Sequence, residues 1–204
     1  MAEETNWLYT DTVKEHFFNP RNVLSGDEND YQADGVGYVG NPACGDMMKM
    51  WIKVDRAQDR IIECKWKTFG CASAIGSTSM LSVMVSENGG MKIDDALKIK
   101  PEDIIDKLGG LPSKKLHCSV LGDKALRAAI FDYFKKSGQE DRMESSKSRV
   151  VCECLNVSEL DIQEAILDGA DNFEKLQEHT KVSTGCGKCK PEVLKLLKKY
   201  LPDD

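Results

Sequence analysis

Four cysteines in the last quarter of the chain have the residue type and the spacing of metal ligands. Cys152 and Cys154 form a Cys-x-Cys pair, and Cys186 and Cys189 form a Cys-x-x-Cys pair. Four thiolates make a soft donor set that suits an iron–sulfur cluster or structural zinc. Zinc sites typically use two Cys-x(2–4)-Cys pairs, whereas the two irons of a cluster spread their ligands more widely. The Cys-x-Cys spacing therefore favours iron–sulfur, with zinc as the alternative.

The second cysteine pair lies immediately before a predicted helix that begins at Pro191. The free N–H groups and the positive dipole end of a helix N-terminus stabilise thiolates and an anionic cluster. Gly185 and Gly187 allow backbone N–H groups to approach the sulfurs, and Lys188 and Lys190 add positive charge. The local sequence therefore fits an anionic metal centre that is held permanently.

Three further cysteines are far apart in the sequence, but each lies at the end of a predicted element. Cys44 and Asp46 share a loop between two strands. Cys71 lies where a strand turns into a helix, and the pair His117-Cys118 opens a long helix. A mixed Cys, Asp and His set binds metal less tightly than four thiolates do, because a carboxylate oxygen is a harder ligand. Such a set suits a metal or a cluster that must be released.

The elements that must position these residues form an α+β pattern, with strands followed by helices. The segment 61–69 alternates apolar with charged residues, which is the period of a half-buried strand. Cys64 falls on the apolar face of this strand, so we predict that it only packs. The predicted strands are 36–39, 47–54 and 61–69, and the predicted helices are 10–18, 72–87, a short one from 101, and 118–136.

A polar segment rich in Ser and charged residues, 139–149, predicts a linker between two domains. Residues 1–138 form the first domain. Residues 150–204 form a small second domain with three predicted helices, which begin near residues 158, 172 and 191. A domain of about fifty residues has a thin core and usually needs a metal or a disulfide to be stable. The four clustered cysteines can supply that crosslink.

Composition and charge disfavour several classes of protein. The 204 residues carry a formal net charge of −6, which argues against a nucleic-acid partner. No apolar run reaches transmembrane length, and the first residues lack a basic signal-peptide region or an Arg-rich transit pattern. We therefore expect a cytoplasmic protein with no membrane partner. In a reducing cytosol, eight cysteines indicate metal ligands or reactive thiols rather than disulfides.

The second domain resembles the BFD-like [2Fe-2S]-binding domain, a family that also occurs as the middle domain of NifU proteins. The order of the two cysteine pairs is specific to this family, and the resemblance covers nearly all of 150–200. It implies a small all-α helical domain with a stable [2Fe-2S] cluster on Cys152, Cys154, Cys186 and Cys189. The resemblance rests on Val151-Cys152-Glu153-Cys154, the run from Ile162 to Ala170, and Gly185-Cys186-Gly187-Lys188-Cys189-Lys190-Pro191-Glu192-Val193.

The first domain resembles the N-terminal scaffold domain of the IscU/NifU family over about residues 9–138. This resemblance implies an antiparallel three-stranded sheet packed by helices. It also implies that Cys44, Cys71 and Cys118 are the scaffold thiols, that Asp46 keeps the growing cluster labile, and that His117 is a candidate additional ligand. The resemblance rests on Phe18-Asn19-Pro20-Arg21-Asn22-Val23, Asn41-Pro42-Ala43-Cys44-Gly45-Asp46, Thr68-Phe69-Gly70-Cys71-Ala72-Ser73-Ala74 and Lys115-Leu116-His117-Cys118-Ser119-Val120-Leu121.

The resemblance implies a scaffold for iron–sulfur cluster assembly that acts with a cysteine desulfurase and is not itself an enzyme. The first domain would accept iron and sulfur, with Cys118 as the candidate persulfide acceptor. It would build a transient [2Fe-2S] or [4Fe-4S] cluster and pass it to apo iron–sulfur proteins. Zinc is a common occupant of mixed sites, so an isolated sample can carry zinc there. An electron donor is a further candidate partner, and a homodimer is left open.

One motif departs from the family. IscU proteins carry Leu-Pro-Pro-Val-Lys before the His-Cys pair, and a dedicated Hsp70-type chaperone binds that motif. This chain has Leu111-Pro112-Ser113-Lys114-Lys115 instead, so the chaperone interaction is not predicted. The residues alone leave two other functions open: a ferredoxin-like electron carrier whose first domain only binds a partner, and a zinc-binding structural protein with two sites.

Overall fold

The computed structural model describes residues 9–41, 46–111, 117–145, 149–167 and 169–201, with only the backbone at 41, 46, 117–120, 144, 145 and 167. The chain forms two compact units, Met1–Ser146 and Lys147–Asp204. The first unit holds a β-sheet with helices, and the second unit is mainly helical. The predicted α+β class is confirmed.

A four-stranded antiparallel sheet forms the middle of the first unit, in the order β1-β2-β3-β4. We expected three strands. The additional strand, β4, has two residues that pair with the start of β3, and two residues are too few to show a hydrophobic period. The strands are β1 (Gly35–Asn41), β2 (Asp46–Asp55), β3 (Arg60–Phe69) and β4 (Met91–Lys92).

One face of the sheet is buried in the core of the first unit. Alternate residues of β2, namely Met48, Met50 and Ile52, have no exposed surface, as the period of a strand requires. Cys64 of β3 lies opposite Ile52 and is buried with it. Burial raises the pKa of the Cys64 thiol to about 12, so the thiol stays protonated at neutral pH. Cys64 is a packing residue, as predicted.

The helices of the first unit begin and end at local signals in the sequence. The hydroxyl of Thr10 caps α1 by accepting a hydrogen bond from the backbone N–H of Val13. Pro20 follows the end of α1, and Pro101 is the first residue of α4. The described helices are α1 (Asp11–Phe18), α2 (Ala72–Ser86), α3 (Ile93–Ala96), α4 (Pro101–Lys107), α5 (His117–Ser137) and α6 (Asp141–Ser145).

Helix α6 lies inside the segment 139–149, which we expected to be a linker. The Arg142 guanidinium donates to both carboxylate oxygens of Asp59, at 2.9 and 2.8 Å, and to Asp94 at 2.6 Å. It also lies over the ring of Phe134. The first half of this polar segment is therefore folded onto the first unit, because its arginine has partners that are distant in the sequence.

Helix α5 packs against β1 through two glycines. A Cβ atom at Gly35 would clash with the carbonyl oxygen of Ala129, and one at Gly37 would clash with that of Ala125. Moving forward along β1 thus corresponds to moving backward along α5, so the helix runs antiparallel to the strand. Of the described helices, α5 included, none is long and apolar enough to cross a membrane.

The second unit combines helices with a two-stranded antiparallel ribbon. The ribbon corrects our expectation of an all-α domain, since strands of three and two residues leave no periodic signal. Ile162, Leu176 and Val193 are fully buried in its core. The elements are β5 (Val150–Cys152), β6 (Val157–Ser158), α7 (Glu159–Leu167), α8 (Phe173–Thr180) and α9 (Lys190–Tyr200).

Candidate metal centres

The strand register brings two predicted ligand positions to one end of the sheet in the first unit. The last residue of β1, Asn41, is paired with the first residue of β2, Asp46. The next residue, Met47, is paired with Phe69, the last residue of β3. Cys71 follows Phe69 by two positions. The backbones of Asp46 and Cys71 therefore lie at the same end of the sheet.

The start of α5 lies at this same end. Because α5 runs antiparallel to β1, its first turn, with His117 and Cys118, lies towards the end of β1. Helix α2 begins just after β3, and a Cβ atom at Gly122 of α5 would lie 3.4 Å from the Thr78 hydroxyl of α2. The first halves of α2 and α5 are therefore side by side, with both N-termini at this end of the sheet.

The structure describes one of the three predicted scaffold thiols in full. Cys71 is half-buried and occupies the N-cap position of α2, although its thiol does not cap the helix. Cys44 lies outside the described residues. Asp46, His117 and Cys118 are described by their backbone, as the first residue of β2 and the first two of α5. Two helix N-termini beside these positions provide a positive environment for an anionic cargo.

The second unit brings three of its four predicted ligand sulfurs close together. Cys152 ends β5, and Cys154 lies in the turn that leads to β6. The Sγ atoms of Cys152 and Cys154 are 3.7 Å apart, and those of Cys154 and Cys186 are 3.6 Å apart. Two thiolates on one tetrahedral ion with bonds of about 2.3 Å have sulfurs about 3.8 Å apart. Each of the two pairwise distances is close to this value, although the three described sulfurs together do not form a ligand set for one ion.

Cys186 and Cys189 belong to the loop between α8 and α9. Gly187 between them has a φ of 72°, a left-handed conformation that favours glycine. Cys189 is the N-cap residue of α9, and its carbonyl oxygen accepts hydrogen bonds from the N–H groups of Glu192 and Val193. Within the described residues, no three His, Cys, Asp or Glu side chains are arranged to hold a single metal ion.

Two features of the same loop fit a cluster that is bound by these thiols. A Cβ atom at Gly185 would lie 3.3 Å from the Cys154 sulfur, so glycine lets the backbone approach this ligand closely. The Ser183 hydroxyl is buried and has no hydrogen-bond partner among the described residues. Buried hydroxyls are nearly always paired, and a cluster sulfur would provide an acceptor. Sequence reasoning missed Ser183, since a serine in a polar loop is unremarkable by itself.

The four thiols differ in their access to solvent. Cys152 is buried, Cys189 is half-buried, and Cys154 and Cys186 are exposed. A [2Fe-2S] cluster held by these residues would have one side covered by the small core and one side open. Such a cluster supplies one-electron redox chemistry when it is bound, and the open side is the side from which electrons or partners can reach it.

Family comparisons match both units. The NifU-like N terminal domain matches residues 8–140, and the BFD-like [2Fe-2S] binding domain matches residues 150–199. The first match alone covers more than half of the chain. The two matches contain all seven cysteines that we assigned to metal chemistry.

Proteins named NifU and proteins named IscU both align with the chain. A nitrogen fixation protein NifU from a Nostoc species is 38% identical over 195 residues, which is 94% of this chain and 64% of that protein. An iron-sulfur cluster assembly scaffold protein IscU from Archaeoglobus fulgidus is 46% identical over 154 residues, which is 76% of this chain and 95% of that protein. The IscU scaffold protein from Aquifex aeolicus is 48% identical over 139 residues, which is 68% of this chain and 83% of that protein.

The lengths of the aligned regions distinguish the two groups of relatives. The chain spans less than two thirds of the NifU protein from Nostoc, but most of the two IscU proteins. Its alignment to NifU continues through the second unit, where the BFD-like match lies. The chain therefore belongs to the NifU-like N-terminal domain family, and it carries a BFD-like [2Fe-2S]-binding domain after that domain.

Proposed function

We propose that this chain is a scaffold for iron–sulfur cluster assembly. Its first domain, residues 1–138, takes up iron and sulfur, builds a labile [2Fe-2S] or [4Fe-4S] cluster, and passes it to apo iron–sulfur proteins. A cysteine desulfurase supplies the sulfur, and Cys118 accepts it as a persulfide. The chain carries cargo between partners, so it is a carrier rather than an enzyme.

One observation supports this proposal above the others. The backbones of Asp46, Cys71, His117 and Cys118 come to one end of the sheet, although these residues are far apart in the sequence. Packing alone does not require potential ligands to gather at one edge. A transferred cluster requires it, because the cargo must be held by several ligands and still be reached by partners. The Asp46 carboxylate is a harder ligand than sulfur and keeps the cargo weakly held.

The second domain, residues 150–204, keeps its cluster. Cys152, Cys154, Cys186 and Cys189 bind a permanent [2Fe-2S] centre. We further propose that this centre passes electrons from a donor protein to the assembly reaction. Homodimer formation would place two such centres in one assembly, and sedimentation of the loaded protein would measure it.

Cluster transfer from an Asp46→Ala variant tests the scaffold proposal. The protein is loaded anaerobically with a cysteine desulfurase, cysteine and ferrous iron, and transfer to an apo-ferredoxin is followed by circular dichroism. We expect the Asp46→Ala variant to release its cluster more slowly than the wild type. Asp95→Ala is the matched control, because Asp95 is exposed on α3, beside the start of β3 at the opposite end of the sheet.

Two outcomes would contradict parts of the proposal. If Asp46→Ala and Asp95→Ala transfer clusters at the same rate, the role of Asp46 is wrong. If the wild type loads no transferable cluster while its second domain holds [2Fe-2S], the chain is an electron carrier with a partner-binding first domain. Zinc without sulfide in the second domain after anaerobic reconstitution would contradict the resident cluster itself.

A further inference from the structure

The loop that carries Cys186 and Cys189 has an unusual charge pattern for this protein. Residues 181–190 contain three lysines and no Asp or Glu, in a chain whose net charge is −6. All three lysine side chains are exposed. They are Lys181, Lys188 and Lys190, which we call the loop lysines.

Most other basic residues described in the second unit pair with a carboxylate, whereas the loop lysines do not. Within the described residues, no Asp or Glu lies within ion-pair distance of any of the three. Lys190 instead lies over the ring of Phe173, at 4.8 Å from the ring centre. Elsewhere in the unit, carboxylates pair with Arg149, Lys175, Lys195 and Lys199.

The loop lysines lack a negative counter-charge, and a bound cluster would provide one. An oxidised [2Fe-2S] core with four thiolates carries about two net negative charges, and its one-electron reduced form carries about three. Lys188 lies between two of the ligands, Cys186 and Cys189, and Lys190 directly follows Cys189. A positive charge near the site stabilises the reduced form more than the oxidised form, because the reduced form is the more negative.

We propose that the loop lysines raise the reduction potential of the resident [2Fe-2S] cluster. Reduction adds one electron from an external one-electron donor to the core, and the four thiolate bonds remain. The lysines do not bind the irons. Their positive charges stabilise the reduced cluster electrostatically. The proposal rests on the resident cluster of the second domain and not on cluster transfer by the first domain, so the two can fail separately.

The contribution of the loop lysines to the reduction potential should depend on salt, because this side of the site is exposed to solvent. Cys154, Cys186 and the three loop lysines are exposed. Mobile ions screen exposed charges with a Debye length of about 10 Å at 0.1 M ionic strength and about 3 Å at 1 M. The contribution of the lysines to the potential should therefore shrink as salt rises. If a substitution changed the potential by altering how the thiolates hold the cluster, the change would not shrink as salt rises.

The test is a redox titration of the full chain in wild-type form and as Lys188→Gln. Anaerobic titration with mediators, followed by the visible absorption of the cluster, gives the ratio of reduced to oxidised cluster at each potential. We expect this ratio to fall by about two- to fivefold at a fixed potential in low salt, from one charge lost at short range. Lys188→Glu should lower it further, and Lys188→Arg should leave it unchanged.

The matched control is Lys198→Gln. Lys198 is exposed like Lys188, but it lies eight residues beyond Lys190 on α9, about 12 Å along the helix. Iron and sulfide analysis, with the electron paramagnetic resonance signal of the reduced cluster, verifies that each variant holds an intact centre. Equal potentials for Lys188→Gln and Lys198→Gln, or a difference that does not shrink in 1 M salt, would overturn the proposal.

A second variant keeps the test decisive if Lys188→Gln does not retain its cluster. Lys181→Gln removes a charge at the other end of the loop, eight residues before the ligand Cys189. The expected shift has the same direction and the same dependence on salt. An unchanged potential in Lys181→Gln and in Lys190→Gln would then overturn the proposal.

Discussion

The two cysteine sites of this protein differ in how far the fold depends on them. The first unit has an extensive core, with Met48, Ile52, Leu81 and Ile130 all fully buried, and Cys71, the predicted ligand that is described in full, lies outside that core. The second unit has a small core, and Cys152, one of its predicted ligands, is buried within it. In the proposed function the first unit releases its cluster, so its fold must be stable without one. The second unit keeps its cluster in the same proposal, so the cluster can contribute to the stability of that unit.

Removing a ligand from each unit has the largest expected effect and separates the two sites. We expect Cys186→Ser to release the cluster and to destabilise the second unit by about 3 kcal/mol or more, since bound metal stabilises small domains directly. Cys71→Ser should change the stability of the first unit by less than about 1 kcal/mol, because Cys71 lies outside the core cluster. Thermal unfolding of the full chain measures both effects.

Tryptophan fluorescence makes the two transitions separable. Trp51 and Trp66 are buried in the first unit, and the sequence beyond residue 146 contains no tryptophan. Fluorescence therefore follows the first unit. The far-ultraviolet circular dichroism of helices α7, α8 and α9, taken after the transition of the first unit is subtracted, follows the second unit whether or not a cluster is bound. A Cys186→Ser protein whose second unit melts at the wild-type temperature would show that the cluster does not stabilise that unit, and the comparison between the sites would be wrong.

The contact between β1 and α5 should contribute more to the stability of the first unit than the predicted ligands do. Gly37→Ala places a Cβ atom against the carbonyl oxygen of Ala125 in α5, so either the helix or the strand must move. We expect a loss of about 2–4 kcal/mol in the free energy of unfolding. Gly26→Ala is a control glycine with open space around it, although its φ of 90° adds backbone strain. A smaller loss for Gly37→Ala than for Gly26→Ala would contradict this account.

The Arg142 contacts test where the first unit ends. Arg142→Met keeps an apolar side chain near Phe134 but removes the hydrogen bonds to Asp59 and Asp94. We expect a loss of about 1–3 kcal/mol in the first unit, since these are bonds between charged groups on a partly buried arginine. Chemical denaturation followed by tryptophan fluorescence measures it. If the variant is as stable as the wild type, α6 does not contribute to the first unit.

Much of the fold could be predicted because the signals are local. Thr10 and Asn172 cap helices through hydrogen bonds to backbone N–H groups three residues ahead, a pattern that a sequence displays directly. The alternation around Cys64 identified both a strand and its buried face. Each cysteine pair of the second unit lies within a segment of three or four residues, so its spacing in the sequence limits how far apart its two sulfurs can be.

What could not be predicted depends on contacts between distant residues or on very short elements. The partners of Arg142 are Asp59 and Asp94, and no local pattern links them to the segment 139–149. Strands β4, β5 and β6 have two or three residues each, fewer than a period-2 pattern needs. The convergence of Asp46, Cys71 and Cys118 depends on strand register and helix direction, which only the assembled sheet defines.

The smallest expected effect is the pH dependence of stability that comes from a buried carboxyl group on α5, the helix that begins at the predicted ligand His117. Asp123 is fully buried, and one of its oxygens accepts from the Nε–H of Arg127 at 3.1 Å, while the other has no partner among the described residues. Burial raises the pKa of Asp123 from 3.8 to about 6, and the charge of Arg127 offsets part of that rise. The folded state therefore holds this proton more tightly than the unfolded state does.

The sign of the pH effect follows from that difference. The contribution of Asp123 to stability is fully present below about pH 4 and is lost as pH rises through about 6. Relative to Asp123→Asn, the wild type should lose on the order of 1–2 kcal/mol between pH 4 and pH 7. Asp95 should act in the opposite direction and at lower pH, because the hydrogen bond and the charge of Lys98 lower its pKa. Its contribution to stability is present above about pH 4 and is lost as pH falls further. Denaturation at several pH values, followed by tryptophan fluorescence, measures the first unit alone, so equal pH profiles for wild type and Asp123→Asn would place the pH dependence of that unit elsewhere than in α5.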